Sequence, residues 1–179
     1  MFKAASAELD RHRQGWTLHP LRHSALQHLA QAGRTAPEPK SGGHGLISAA
    51  GDYHRFTQML LRGGELDGAR VLGPRTVAYM TRNHLPGGAD LEESGRRVFS
   101  ETSNSGTGFG LGFAVVQDAV KQKDLGSDGE YSWGGAAGTA FWVDPAEELT
   151  VTFLSQCIPS SVVPIFGHLR QLVYQALVN

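Results

Sequence analysis

Cysteine is almost absent. Cys157 stands alone in 179 residues, so neither an internal disulfide nor a multi-cysteine zinc site can form within the chain. Lysine is nearly as scarce. The four lysines are Lys3, Lys40, Lys121 and Lys123, and none has a serine three positions before it. That excludes the Ser-x-x-Lys arrangement, in which an amine activates a serine hydroxyl. No apolar run reaches the roughly 18 residues that cross a bilayer, and no basic-then-apolar leader is visible. No membrane span or signal peptide is therefore expected, and a cytoplasmic location is the default. An excess of one charge is missing too: 16 Lys and Arg face 17 Asp and Glu, a formal charge of −1. Neither nucleic acid nor an anionic membrane is an expected partner.

What is present fits a globular chain. At 40% hydrophobic and 18% charged residues, one domain with a real core is the default. Residues 1–40 differ in character from the rest. They hold His12, His19, His23 and His28 with Arg11, Arg13, Arg22 and Arg34. A short helix over 21–32 partly suits the spacing of Leu21, Leu26 and Leu29, with Gly33 to end it and Pro37-Glu38-Pro39 as an extended linker. His19 and His23 are an i,i+4 pair, but no carboxylate accompanies them as in His-Glu-x-x-His, so no metal site is expected. An atypical, loosely ordered N-terminal segment over 1–40 is the expectation.

From residue 41 the pattern is regular. Ser48 can cap a helix over 49–62 whose stripe is Tyr53, Phe56, Met59 and Leu60, stopped by Gly63-Gly64. Pro74 suits the first turn of a second helix through about Arg82. Residues 86–107, rich in Gly, Ser, Glu and Arg, read as a long loop or a disordered insertion. Strands are predicted over 109–117, 130–135, 139–143 and 149–155, the later ones as an antiparallel meander. Ile165, Leu169, Leu172, Val173 and Leu177 give a closing helix its stripe. No cofactor motif emerges: Gly108-Phe109-Gly110-Leu111-Gly112 leads into a strand rather than a helix, so it is not a dinucleotide fingerprint. His84, Asp118, Asp144 and His168 show no triad spacing and default to surface or satisfied positions. His44 lies in a glycine-rich turn, and Cys157 reads as a small buried apolar residue.

The stretch with chemical content is Trp133-Gly134-Gly135-Ala136-Ala137-Gly138. Trp133 ends one strand, Phe141 to Val143 begin the next, and the glycines between them leave bare backbone. An N–H there can approach a ligand closely, as oxyanion-hole donors do in acyl transfer. Trp133 is either a wall of such a site or a core aromatic at a strand end.

This segment resembles the third active-site motif of the serine β-lactamase, penicillin-binding-protein and related esterase superfamily. The Trp-Gly-Gly version is similar to the esterase and class C-like branch. Ser41-Gly42-Gly43-His44-Gly45 running into a helix, Gly63-Gly64-Glu65-Leu66-Asp67-Gly68, Val71 to Val77, and Gly108 to Phe113 resemble further family segments in the family's order. The resemblance implies a partial α+β, β-lactamase/transpeptidase-like fold over 41–179: an antiparallel sheet with the C-terminal helix packed on it, and a small helical region. It implies that Trp133, Gly134, Gly135 and Ala136 line an acyl site, with the Ala136 N–H as one oxyanion donor. Trp133 would stand where lactamases hold a cation that engages a substrate carboxylate, which implies neutral small-molecule esters or amides. The motif Tyr-x-Asn also has no counterpart before Ser41, so no catalytic residue is assigned. Two function classes remain: a truncated serine hydrolase whose nucleophile comes from elsewhere, and a non-catalytic remnant or binding module. A fragment of such a sheet is expected to expose a strand edge and to self-associate.

Overall fold

The computed structural model describes residues 48–95, 104–135, 138–155 and 165–178. The predicted 21–32 helix, the N-terminal histidines, the boundary near residue 40, the 41–45 turn and Cys157 lie outside the described residues.

Helix α1, Ala50–Leu61, is followed by a small hairpin of β1, Glu65–Leu66, and β2, Ala69–Arg70. Helix α2 is Pro74–Met80. A five-stranded antiparallel meander then forms from β3, Thr107–Phe109, β4, Ala114–Val116, β5, Tyr131–Gly134, β6, Ala140–Asp144, and β7, Leu149–Phe153, in that order across the sheet. A single-turn helix α3, Ala119–Gln122, interrupts the run between β4 and β5, and α4, Ile165–Gln175, closes the chain.

The two faces of the sheet have different partners. Strand alternation sends Phe141 and Val143 to one face and Trp142 and Asp144 to the other. On the first face Phe141, Val143, Val115, Tyr131 and Phe113 pack with Met59 and Leu60 of α1 and Val77 of α2. Tyr53 meets the Phe141 ring edge-on at 5.3 Å. On the second face α4 lays Phe166 against Trp142, ring centroids 5.5 Å apart. The fold is α+β, an antiparallel sheet carrying the C-terminal helix, as expected.

Several elements differ from expectation in detail. Ser48 does not cap α1. Ala49 holds the cap position without a side-chain bond, and the Ser48 hydroxyl turns to the Ala49 carbonyl at 3.3 Å. The far end is as expected: Gly63 N–H donates to Leu60 O and Gly64 N–H to Met59 O, at 3.0 and 2.8 Å. Both glycines have positive φ, which completes a Schellman stop. Helix α2 ends at Met80, short of Arg82. The single strand predicted over 109–117 is a hairpin instead. Its tip turns at Gly112, φ +98°, and the Leu111 N–H is tied to Met80 O at 2.8 Å.

The described parts of the 86–107 loop are pinned. The buried Asp90 carboxylate accepts from Glu93 N–H, Gly106 N–H and the Lys121 ammonium at 2.8, 2.9 and 2.6 Å. Only part of the apolar stripe expected of α4 turns inward: Leu169 and Val173 are half-buried. Leu172 is 64% exposed and Ile165 and Leu177 are also exposed, while the buried side chain is Arg170, at 3%. Asp144, expected at the surface, is fully buried at 0%. Asp118 caps α3 through its carboxylate on Lys121 N–H at 2.8 Å, and His84 and His168 are exposed.

Candidate functional site

The glycine segment sits where β5 turns into β6. Tyr131, buried and stacked on Phe113 at 5.3 Å, anchors the start of β5 in the core. The register sets Trp133 opposite Phe141 and Gly134 opposite Ala140. Beyond them Gly135 N–H donates to Thr139 O at 2.7 Å, and Gly138 N–H donates to Gly135 O at 3.0 Å. The Ser155 hydroxyl donates to Gly138 O at 2.9 Å and steadies the turn from the β7 side.

Trp133, Gly134 and Gly135 all reach solvent. The Trp133 side chain does not enter the core: it is 39% exposed, and its ring lies edge-on to Phe109 at 5.1 Å. An indole and a phenyl ring thus stand beside exposed backbone, with no cation on that strand.

The hydrogen-bond pattern separates the two glycines. Gly135 spends its N–H on Thr139, so it is not a donor for a ligand. In antiparallel pairing, hydrogen-bonded and non-hydrogen-bonded positions alternate. Gly134, one position before Gly135, therefore directs its N–H away from β6 toward the β4 side. Pairing of β4 with β5 ends at Ala114 and Ser132, so Gly134 lies past the last rung of that ladder. Ala136, the donor that the resemblance implies, lies outside the described residues. Sequence reasoning grouped Trp133, Gly134, Gly135 and Ala136 as one wall; the register distinguishes Gly134 from Gly135, and no residue-type signal could have done so.

Lys121 is engaged by Asp90 and Glu93 at 2.6 and 2.8 Å. Those hydrogen bonds hold its ammonium above the usual lysine range, so it stays charged and cannot take a proton. The His84 ring bonds the Tyr79 carbonyl at 2.8 Å and stacks edge-on against the Tyr79 ring at 4.6 Å. No group of three potential metal ligands occurs among the described residues. Two open cavities, about 640 and 400 Å³, lie away from this strand, between the 119–127 segment and α4.

The arrangement offers an outward backbone donor beside an apolar wall. Such a donor can receive a polarised carbonyl oxygen beside a neutral substituent.

Comparison with known proteins gives this geometry a context. The sequence profile of the Beta-lactamase family matches residues 2–165. Two uncharacterized proteins of Mycobacterium tuberculosis, one from each of two strains, are 40% identical over 129 residues, 70% of this chain and 31% of theirs. Among solved structures, EstCE1, a hydrolase with promiscuous acyltransferase activity, superposes with a TM-score of 0.62 at 26% identity, covering 81% of this chain and 34% of that one. A variant of simvastatin synthase from Aspergillus terreus superposes with a TM-score of 0.64 at 20% identity, over 84% of this chain and 44% of that one. The chain spans about a third of the length of the curated relatives. It belongs to the Beta-lactamase family.

Proposed function

We propose that this chain builds one wall of the acyl pocket of an esterase-like serine hydrolase or acyltransferase. The attacking serine and its activating lysine would come from polypeptide outside these 179 residues. The observation that carries the reading is the exposed end of β5, where Gly134 turns its amide outward beside Trp133 and Phe109. A carbonyl bound there meets a backbone donor suited to the charge that develops on its oxygen, a contribution typically worth about a hundred- to a thousand-fold in rate. Ala136 would add the second amide of this wall. An indole in place of a cation favours neutral esters or amides over carboxylate-bearing β-lactams. The hydrolase and acyltransferase description of EstCE1 supports the reaction class.

A second reading, a non-catalytic remnant or binding module, is favoured by one specific observation. No lysine of the chain follows a serine at the required spacing, and Lys121 is held by two carboxylates. Under the first reading, β7, an outermost strand of the sheet among the described residues, would pair with the other polypeptide; without it, a second copy of this chain would take that edge.

One experiment separates the readings. The chain alone is expected neither to react with a fluorophosphonate serine probe nor to cleave p-nitrophenyl esters. Mixing it with the part of the 40%-identical relative that lies outside the shared 129 residues is expected to generate both signals. Labelling of the isolated chain at any serine would overturn the assignment of the nucleophile to other sequence. A silent mixture that nevertheless forms a complex would support the non-catalytic reading.

A further inference from the structure

On the face of the sheet that α4 covers, an arginine, a tyrosine and three carboxylates are linked by close contacts. Arg170 of α4 makes two parallel bonds to Glu130, which immediately precedes β5: Nη1 to Oε1 at 2.5 Å and Nη2 to Oε2 at 2.7 Å. The Tyr174 hydroxyl of α4 lies 2.5 Å from Glu130 Oε2 and 2.8 Å from Asp144 Oδ2 at the end of β6. The other oxygen of Asp144 accepts from Ala146 N–H at 3.0 Å and Glu147 N–H at 3.3 Å. Asp124 approaches Arg170 Nε at 3.1 Å from the segment after α3, and Glu147 lies exposed in the β6–β7 turn. Trp142 and Tyr174 cover the guanidinium, their ring centroids 5.8 and 5.2 Å away.

The protons do not add up if every carboxyl is ionised. A phenol has one hydrogen, yet both of its oxygen neighbours lie at hydrogen-bond distance, and both belong to acceptor-only groups when charged. One contact would be an unscreened repulsion between oxygens. Glu130 and Asp124 already pair with the single guanidinium, and an ionised Asp144 would add a third negative charge to a site where Glu130 is 1% and Asp144 0% exposed.

We infer that the Glu130–Tyr174–Asp144 bridge retains one proton more than two ionised carboxylates would carry, and that this proton fastens α4 to the sheet. Its chain of bonds is then complete: one carboxyl donates to the tyrosine oxygen, or takes part in the reverse arrangement, and the tyrosine donates to the other. The proton belongs to the pair rather than to one residue. Burial holds Glu130 above the ordinary carboxylate range against the pull of Arg170, and burial likewise raises Tyr174, which keeps its hydrogen. Exchange with solvent is open, because Asp124 and Tyr174 each line one of the two cavities. Gly126 packs closely over the guanidinium, where a Cβ would lie 2.1 Å from Arg170 Nη2. The bridge clamps β5 and β6 at the ends opposite the glycine turn, so the strand register that orients Gly134 rests on the same proton.

The test is infrared spectroscopy of the intact chain at neutral pH, with Asp and Glu carboxyl carbons isotopically labelled in turn. The expected result is the carbonyl stretch of one un-ionised carboxylic acid, shifted by one of the labels. Its absence overturns the inference without any variant. Asp144→Asn supplies the second arm. Its amide nitrogen can donate to Tyr174 while its oxygen keeps the two turn amides, so the bridge is satisfied without a borrowed proton. The folded wild type binds one more proton than the unfolded chain. Its folding constant should therefore fall by up to tenfold per pH unit as pH rises above the ordinary carboxylate range, and Asp144→Asn should flatten that slope. Equal slopes in the two proteins would sink the inference.

Discussion

A methyl group added at Gly135 tests the geometry of the glycine turn directly. A Cβ built there would lie 2.4 Å from Thr139 Oγ1, while Thr139 Cβ and O, at 3.8 and 3.9 Å, are ordinary contacts. Gly135→Ala therefore conflicts with a single atom. Threonine is stiff at χ1, so moving that oxygen costs about 0.5–1.5 kcal/mol as rotamer strain. The alternative is to stretch the 2.7 Å bond from Gly135 N–H to Thr139 O, which forfeits about 1 kcal/mol. The expected destabilisation is about 1–2 kcal/mol on either route. Thr139→Ala deletes the offending oxygen and leaves the backbone acceptor in place. In that background Gly135→Ala should cost almost nothing. Urea unfolding of the four proteins gives the coupling as a double-mutant cycle, expected at about 1–2 kcal/mol with unchanged m-values. Equal costs of Gly135→Ala in both backgrounds would refute the packing described for this turn, and with it the register that points Gly134 outward.

Further outcomes follow from other positions. At Gly64, φ +95°, a Cβ would meet Leu72 O at 2.2 Å, and the Gly64 carbonyl accepts from Val71 and Leu72 N–H. Gly64→Ala should cost about 3 kcal/mol from backbone strain and disturbed bonds. Gly51→Ala, a helical position with open space around it, should instead stabilise by about 0.5–1 kcal/mol in the same unfolding assay. Hydrogen bonds from Glu93 N–H, Lys121 and Gly106 N–H hold Asp90 down to about 2. The stability it contributes is complete above its unfolded value and is lost as pH falls toward 2, and acid titration of Asp90→Asn should lack that component. In a reconstituted enzyme, Trp133→Lys should shift preference from neutral esters toward carboxylate-bearing substrates, read as the ratio of kcat/KM values for a matched pair. Size-exclusion chromatography of the chain alone should show association through the β7 edge; a sharply unfolding monomer would count against the open-edge proposal.

Much of the sheet was legible because its signals are local. The apolar run Phe141-Trp142-Val143 marked β6, and Gly63-Gly64 marked the end of α1. The β3–β4 hairpin was missed because glycines at 108, 110 and 112 dilute the apolar pattern just where the chain reverses. The β1–β2 hairpin was overlooked despite its Asp67-Gly68 pair, both with positive φ, a strong two-residue turn signal. The stripe read on α4 has the right period but is offset from the buried face, with Leu169 and Val173 half-buried and Ile165, Leu172 and Leu177 exposed. Periodicity assumes that apolar side chains point inward, whereas this helix buries a guanidinium that meets Glu130, 40 positions earlier. At the site, the motif located Trp133 and the glycines, while the division of labour between adjacent amides depends on register, which no local pattern encodes.

The meander has a consequence for how the chain acquires its shape. Among the described residues each strand from β3 to β7 pairs only with its neighbour in sequence, so the sheet can assemble from short-range closures with little entropy lost to loops. Helix α1 is the exception: Gln58 reaches Thr150 across 92 positions to seat on the last two strands. Contacts of long sequence separation slow folding, so the hairpins should gain protection in pulsed hydrogen exchange before α1 docks. The face carrying Phe141 and Val143 would then stay bare until that late step, the interval in which a passing chaperone or a second nascent chain could occupy it.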